Sequence, residues 1–343
     1  MKPSDLFTQS SNANLEATPE QLRSWIPIDA IIVDGKPAIE WMEVADVEFS
    51  EPFFTETLAR VDSSGRRQRF IADFDSLLQV EKIADSVQPS GFIFHASRCG
   101  STLLANTCRA LGKSIVISEA PVVDKLISRF FTDAQPQSAK EMLYMAFLRA
   151  AIGALGQRRR GDEQHYFVKF TCTSTLQMSR VRRIWPTVPF IFLYRDPIEI
   201  IVSNLKSLPE WMKPESNPET ASRIIGSSVV ELDRISAEEF CARALGRFFA
   251  EAQANRNSNL LCLNYDQLNA KTLVDAIRFF GIEPSHEELD TIQATSRLYS
   301  KDSTATHLFR SDIESKRALA TESVIEMAKK WSQAPYLQLI SNS

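Results

Sequence analysis

A short polar segment between an apolar run and a helical pattern is well suited to bind an anion. It follows Phe92-Ile93-Phe94 and precedes Leu103, Leu104, Cys108 and Leu111, whose spacing predicts a helix. In a strand, a tight loop and a helix in this order, the backbone N–H groups of the loop point inward at the positive end of the helix dipole. A phosphate-type group can bind there. The loop residues that we expect to contact such a group are Ser97, Arg98, Cys99, Gly100, Ser101 and Thr102.

This loop differs from the loops that bind ATP. It lacks the Gly-x-x-x-x-Gly-Lys-Ser/Thr pattern, and with it the lysine and the evident magnesium ligands of such loops. Arg98 instead adds a fixed positive charge, Gly100 lets the backbone approach closely, and Ser101 and Thr102 supply hydroxyl donors. Taken alone, the segment is also compatible with a serine-rich turn between a strand and a helix.

Two charged residues stand at the ends of other apolar runs, Glu119 after 114–117 and Lys169 after 166–168. A carboxylate beside an anion-binding loop is unfavourable unless it has a function, so Glu119 is a candidate general base. Its alternative role is that of an acid at the start of a helix over 122–130. Lysine is expensive to bury, so Lys169 is expected to reach a negative partner, the transferred group. Its alternative is an edge-strand lysine that extends to water.

The segment from Tyr194 to Ser203 combines a strand end with strong helix-start signals. Asp196 suits the N-cap, Pro197 the first helical position, and Glu199 would complete a capping box. This arrangement leaves Arg195 at the end of the strand and Ser203 two turns into the helix. We expect these two residues to converge on one phosphate, because arginine presents a planar fork of donors and serine adds a directional one.

The elements that must position these residues form an α/β pattern from residue 89 onward. Strands alternate with helices, which predicts a central parallel sheet flanked by helices, and ligands of such sheets bind at the carboxyl ends of the strands. The sequence therefore predicts an α/β domain over 89–343. The candidate strands are 91–95, 114–117, 166–171, 189–194 and 259–263.

The region 1–88 reads as a lead-in and a small α+β cap segment. A flexible stretch over 1–18 precedes a predicted hairpin of 31–33 and 38–42, since Asp34-Gly35 suits a type I′ turn. Helices are predicted over 53–61 and 74–84, around a basic patch at 66–69 that we interpret as a solvated face. Further on, a buried helix is predicted over 139–156.

Composition excludes several classes of function. The 343 residues carry a net charge of −4, which argues against a nucleic-acid partner. Five scattered cysteines without a CxxC pair indicate reduced thiols in a cytoplasmic protein, and four dispersed histidines give no support for a metal site. No apolar stretch has the length to cross a bilayer, so we expect no membrane span.

The two phosphate-binding segments together resemble those of the sulfotransferases. Arg98-Cys99-Gly100-Ser101-Thr102 looks like the 5′-phosphosulfate loop of that family, which in many members reads Lys/Arg-Ser-Gly-Ser/Thr-Thr. The spacing of Arg195 and Ser203 resembles the family's 3′-phosphate motif. The resemblance covers roughly residues 89–340. It implies a P-loop-like α/β fold, with 3′-phosphoadenosine 5′-phosphosulfate (PAPS) as co-substrate and no metal.

The sequence also departs from the family pattern. The Lys-Thr-His run of members with a histidine base reads Lys169-Phe170-Thr171 here, so the resemblance implies Glu119 as the base, as in bacterial and carbohydrate enzymes that use a glutamate. Arg98 and Lys169 would then stabilise charge on the transferred group. Cys99 replaces the common serine of the loop. The late Arg-Lys-Gly element is missing, and the basic residues available in that region are Lys301, Arg310, Lys316 and Arg317.

The sequence thus predicts sulfuryl transfer from PAPS to a hydroxyl or amine of an acceptor. The acceptor could be a small molecule, a carbohydrate or a peptide, and its pocket is expected in 1–88, 122–140 and 207–235. Two alternatives remain open. One is a nucleotide-dependent phosphotransferase of the kinase kind, which requires magnesium and normally the loop lysine. The other is a non-catalytic module that keeps the nucleotide pocket for binding.

Overall fold

The structure, a computed structural model, describes residues 24–44, 47–63, 65–131, 135–296 and 317–341. The lead-in expected over 1–18 lies outside these residues. The strands are, in chain order, β1 (Trp25–Val33), β2 (Lys36–Glu43), β3 (Arg69–Asp73), β4 (Gly91–His95), β5 (Ser114–Ser118), β6 (His165–Lys169), β7 (Phe190–Tyr194) and β8 (Leu260–Asn264).

The α-helices of the described residues are α1 (Phe54–Val61), α2 (Asp75–Ile83), α3 (Ser101–Arg109), α4 (Pro121–Lys125), α5 (Ala139–Leu155), α6 (Met178–Ile184), α7 (Pro197–Lys206), α8 (Pro218–Ile225), α9 (Val229–Leu232), α10 (Ala237–Ala254), α11 (Ala270–Phe279), α12 (His286–Ser296), α13 (Glu322–Trp331) and α14 (Gln333–Ser341). Short 3₁₀ segments cover Cys172–Gln177, Glu210–Met212 and Tyr265–Gln267. The chain divides into two compact units, one of residues 1–91 and 108–170 and the other of residues 92–107 and 171–343. The domain boundary predicted between 88 and 89 stays a prediction.

The central sheet has five strands in the order β5-β6-β4-β7-β8. The pairs β5–β6, β4–β7 and β7–β8 are parallel and in continuous register. All five residues of β4 and of β7 are buried, as expected for strands covered on both faces. The predicted fold class, a parallel sheet flanked by helices with a small N-terminal α+β segment, is confirmed. Each predicted strand is present, and only the run 166–171 ends earlier than expected, at Lys169.

The first unit contains an antiparallel sheet in the order β1-β2-β3. The predicted turn joins β1 to β2, and Asp34 and Gly35 have φ angles of 49° and 75°, as a type I′ turn requires. Strand β3 was not predicted. Arg69, assigned to a solvated basic patch, begins this strand and forms ion pairs with Glu40 and Asp62. The patch is therefore partly neutralised by carboxylates of the same unit.

The helix predicted over 122–130 has two parts. It begins as α4 and continues as a π-helical segment, Leu126–Phe131. The buried helix predicted over 139–156 is α5, whose N-cap Ser138 accepts a hydrogen bond from the backbone N–H of Glu141. All five cysteines lie within the described residues, where they are buried and form no disulfide with one another.

The second unit is organised around the long helix α10. Helices α13 and α14 pack on it, and Gly246 permits the closest approach, because a Cβ built there would lie within van der Waals overlap of the Trp331 carbonyl oxygen. Helix α7 also packs on α10 and begins three residues after β7 ends. Among the described helices, none has both the length and the apolar character that crossing a membrane requires.

Candidate active site

The loop between β4 and α3 has an unusual backbone. Ser97, Arg98 and Gly100 have φ angles of 70°, 48° and 84°, all in the left-handed region. For Ser97 and Arg98 this conformation is unfavourable and must be held by their surroundings. A Cβ at position 100 would lie 2.5 Å from Leu268 Cδ1 and 3.2 Å from Tyr265 Cδ2. The positive φ of Gly100 and the closeness of these two side chains both disfavour a Cβ at this position, independently of any ligand.

Three side chains of this loop bind the protein itself. Ser97 Oγ and Arg98 Nε both donate hydrogen bonds to Asn204 Oδ1, over 3.2 Å and 3.3 Å. Arg98 Nη2 donates to the carbonyl oxygen of Ser207, at the end of α7, over 3.2 Å. Cys99 is buried, and its thiol donates to the carbonyl oxygen of Leu193 on β7 over 3.1 Å. Through these bonds the loop is attached to both β7 and α7.

Three hydroxyl groups near the loop are in a different situation. Ser101 and Thr102 form the first turn of α3 and are buried, while Ser203 is half-buried on α7. Within the described part of the chain, none of these three side chains has a hydrogen-bond partner. None of the three hydroxyl oxygens is a buried atom without a partner, so each is open to solvent and could donate a hydrogen bond to a ligand. All three were predicted as phosphate contacts, and these roles stay predictions.

Arg195 lies at the end of β7 and is buried. Its Nε donates to Glu199 Oε2 over 2.6 Å, and its guanidinium carbon is 4.0 Å from the centre of the Tyr265 ring. Glu199 also accepts a hydrogen bond from Arg317 Nε over 3.0 Å. The carboxylate of Glu199 and the aromatic ring of Tyr265 thus fix the orientation of the Arg195 guanidinium.

The prediction of a capping box at the start of α7 is correct for Asp196 and wrong for Glu199. Asp196 is the N-cap, since its Oδ1 accepts from the N–H groups of Ile198 and Glu199 over 2.9 Å and 3.4 Å. The side chain of Glu199 does not complete the box, because it binds Arg195 and Arg317 instead. Charge-assisted bonds to two guanidinium groups are stronger than a bond to a neutral backbone N–H.

Of the late basic residues, only Arg317 lies within the described ranges, whereas Lys301, Arg310 and Lys316 lie outside them. Arg317 Nη2 is 3.3 Å from Asp196 Oδ2. The negative charges of Asp196 and Glu199 raise the pKa of the Arg317 guanidinium. Arg317 therefore binds the start of α7, next to Arg195.

Glu119 and Lys169 meet at the ends of β5 and β6. Glu119 has a left-handed backbone, with φ of 57°, and its N–H donates to the Lys169 carbonyl oxygen over 2.8 Å. Lys169 Nζ lies 2.8 Å from Glu119 Oε1 and 4.6 Å from the centre of the Phe53 ring. The prediction that Lys169 reaches a negative partner is correct for Glu119, whereas contact with a transferred group stays a prediction.

The ammonium group of Lys169 keeps unused donor capacity. Its contact with Glu119 is short, yet Nζ is buried and no acceptor in the described residues stands in hydrogen-bonding geometry to it. Strand β6 lies between β5 and β4, so Lys169 is not an edge-strand lysine that extends to water. Glu119 directly precedes Ala120, the N-cap of α4, so its alternative role as an acid ahead of this helix stays open.

Two residues of this region were not predicted from the sequence. Asn204 is buried on α7 after the apolar run Ile200, Ile201 and Val202, and a polar residue in that position is a signal that could have identified it. Tyr265 follows β8 directly, so the strand-end criterion applied to the other strands would have selected it. Within the described residues, no cluster of three or more His, Cys, Asp and Glu side chains could hold a metal ion.

No protein-family model and no curated protein matches the chain. Solved structures do match. Sulfotransferase STF9 from Mycobacterium avium has 11% sequence identity, with 80% of this chain and 84% of that chain covered and a TM-score of 0.40. The sulfotransferase domain of the Synechococcus PCC 7002 olefin synthase has 14% identity, coverages of 72% and 95%, and a TM-score of 0.34.

A third matching structure is a retinol dehydratase in complex with androsterone and the inactive cofactor PAP, with 15% identity, coverages of 76% and 84%, and a TM-score of 0.36. Identities and TM-scores this low assign no substrate and no residue role to the present chain. The chain is thus similar to these solved structures, two of which are sulfotransferases.

Proposed function

We propose that this protein transfers the sulfuryl group of PAPS to a hydroxyl or amine of an acceptor. The observation that carries the proposal is the pair of hydrogen bonds from Ser97 and Arg98 to Asn204. Asn204 is the neighbour of Ser203 on α7. Two phosphate-binding motifs that lie about a hundred residues apart in the sequence are therefore adjacent in the second unit, as one nucleotide with a phosphate at each end would require.

The loop and α7 would hold the two ends of the nucleotide. Ser101 and Thr102, with the backbone N–H groups at the start of α3, would bind the 5′-phosphosulfate. Ser203 would bind the 3′-phosphate, and Arg195 would add a charged donor whose orientation is set by Glu199. The hydroxyls of Ser101, Thr102 and Ser203, which lack a partner among the described residues, support this assignment.

The pair Glu119–Lys169 would act on the reacting groups. PAPS supplies an activated sulfuryl group whose bond to the 5′-phosphate breaks as the acceptor attacks sulfur. Glu119 would take the proton of the acceptor at Oε2 or Oε1, and its exposed fraction of 24% leaves the carboxylate accessible. The ammonium of Lys169, with its remaining donors, would stabilise the negative charge that develops on the transferred group.

A thermal-shift measurement with adenosine 3′,5′-bisphosphate (PAP), in parallel with ATP plus magnesium, tests the proposal. At a PAP concentration 100-fold above Kd, binding stabilises a protein by about 2.7 kcal/mol, which raises Tm by about 4 °C for a chain of this length. We expect this shift with PAP and none with ATP plus magnesium. A shift with ATP plus magnesium alone would indicate the phosphotransferase. PAP binding without any turnover of PAPS across a panel of hydroxyl and amine acceptors would indicate the non-catalytic module.

A further inference from the structure

Asn204 occupies a central position that neither phosphate motif explains. It lies on α7, is fully buried, and is not expected to touch the nucleotide itself. Its carbonyl oxygen accepts two hydrogen bonds from the loop, one from Ser97 Oγ and one from Arg98 Nε. Its amide nitrogen donates to Cys241 Sγ on α10 over 3.6 Å. One side chain thus connects the loop, α7 and α10.

The amide group has a single orientation that satisfies these partners. The Arg98 Nε–H can only donate, so an amide turned by 180° would place its own N–H groups against this donor. Burial raises the pKa of the Cys241 thiol to about 12, so this sulfur is protonated near neutrality and serves as a weak, uncharged acceptor for Nδ2. The oxygen of Asn204 is therefore directed at the loop.

The loop residues that Asn204 binds are the two with unfavourable backbone angles. Ser97 and Arg98 both have φ in the left-handed region, a conformation that persists in such residues only where the surroundings impose it. The bonds to Asn204, together with the bond from Arg98 Nη2 to the Ser207 carbonyl, supply that constraint from α7. Because these bonds use Nε and Nη2 of Arg98, they direct its guanidinium toward the end of α7.

We infer that Asn204 is a positioning residue which holds the 5′-phosphosulfate loop in its binding conformation from the helix that carries the 3′-phosphate contacts. In this arrangement Arg98 acts through the shape of the loop rather than on the transferred group. The inference rests on the proposed function, since it assigns the loop to the 5′ end of the nucleotide.

The test compares, by isothermal titration calorimetry, the affinity for PAP with the affinity for 3′-AMP, which lacks the 5′-phosphate. The ratio of Kd for 3′-AMP to Kd for PAP measures the contribution of the 5′ end. In Asn204→Leu, which keeps the branched shape of the side chain, although it is larger, and removes the acceptor, we expect this ratio to fall about 10-fold, equivalent to the loss of one or two hydrogen bonds. Kd for 3′-AMP should stay within about 2-fold of wild type.

A second variant and a control accompany this measurement. Ser97→Ala removes one of the two bonds and should lower the ratio by a smaller factor, which keeps the test available if Asn204→Leu fails to fold. Cys241→Ala removes the partner of the amide nitrogen and leaves both bonds of Oδ1, so it should leave the ratio unchanged even if it lowers Tm.

The outcomes distinguish a failure of the proposed function from a failure of the role inferred for Asn204. A wild-type protein that binds neither PAP nor 3′-AMP would overturn the proposed function. A wild-type protein that binds PAP, together with an unchanged ratio in both Asn204→Leu and Ser97→Ala, would overturn the role of Asn204 alone. An equal loss of affinity for both ligands would also overturn it, because a general structural effect does not distinguish the two ends.

Discussion

At the scale of single residues, Glu119 and Lys169 are the pair to which the proposed function assigns the chemistry. Glu119→Gln keeps the shape of the side chain and removes its ability to accept a proton. We expect turnover of PAPS to fall by a factor of about 10²–10⁴, the usual contribution of a general base. Affinity for PAP should be unchanged. Steady-state kinetics with an acceptor identified from a panel, and calorimetry with PAP, check the two parts; full turnover in this variant would place the base elsewhere.

A substitution of Lys169 tests whether its charge serves catalysis or the stability of the fold. Lys169→Met fills a similar volume without the buried charge, and Glu119, being partly exposed, can be hydrated when its partner is lost. The free energy of unfolding should therefore change by less than about 1.5 kcal/mol. Turnover should fall by a factor of about 10²–10³, since the charge that develops on the transferred group loses a donor. Denaturant unfolding and kinetics measure these effects, and a stability loss of several kcal/mol with normal turnover would contradict both expectations.

At the scale of elements, the loop between β4 and α3 depends on contacts from the segment that follows β8. A methyl group at position 100 would overlap the Leu268 side chain and would sit on a backbone with φ of 84°. We expect Gly100→Ala to lower the free energy of unfolding by about 1–3 kcal/mol and to weaken PAP binding.

Gly112→Ala is the matched control, because a Cβ at that position meets no atom within 4 Å and no left-handed φ is involved. This variant should bind PAP as the wild type does. Denaturant unfolding and PAP calorimetry on both variants give the comparison, and equal behaviour of the two would show that the loop tolerates a side chain.

Helix α7 shows how one element serves several partners. Its start is capped by Asp196, its first turn carries Glu199 with two arginines, and its last turns carry Ser203 and Asn204. The strand-end pattern predicted the cap, Arg195 and Ser203 from residues that are neighbours in the chain. It assigned Glu199 to the cap, because a local pattern contains no information about Arg317, which lies 118 residues further on.

At the scale of the whole molecule, the acid stability of the protein depends in part on Glu163. Its carboxylate accepts hydrogen bonds from the N–H groups of Arg159, Arg160 and Gly161 over 3.0, 3.0 and 2.9 Å. Burial opposes ionisation, but the backbone N–H bonds outweigh it and place the pKa of Glu163 below its ordinary value of 4.5. The stabilisation is therefore fully present above pH 4.5 and is lost as the pH falls through the lowered pKa.

Glu163→Gln should remove this contribution. The wild type should lose unfolding free energy below pH 4.5 more steeply than the variant, by up to about 1.4 kcal/mol per pH unit for one proton. Glu326→Gln, at an exposed position in the middle of α13, is the control and should keep the wild-type slope. Urea unfolding between pH 3 and pH 7 measures the slopes, and parallel curves for all three proteins would contradict the assignment.

Local sequence patterns predicted most of the elements and the order of the chemical groups along them. Apolar runs located the five strands of the parallel sheet and Asp34-Gly35 located the hairpin turn. The loop at 97–102 and the Arg195–Ser203 spacing predicted two phosphate-binding motifs, which stay predictions. These features depend on side-chain periodicity and backbone preference, which act over a few residues. Strand β3 was missed because its alternation is short and begins in a run of arginines.

The partners of those groups were decided only by the tertiary structure. Asn204 meets Ser97 across 107 residues, Tyr265 lies against Arg195, and Lys169 binds Glu119 at the ends of adjacent strands. Which donor faces which acceptor depends on the packing of elements that are distant in sequence. Buried polar groups form hydrogen bonds with the partners that this packing brings within reach. Local sequence patterns therefore identify the polar groups that need a hydrogen-bond or ion-pair partner, and the packed fold determines which partner each group has.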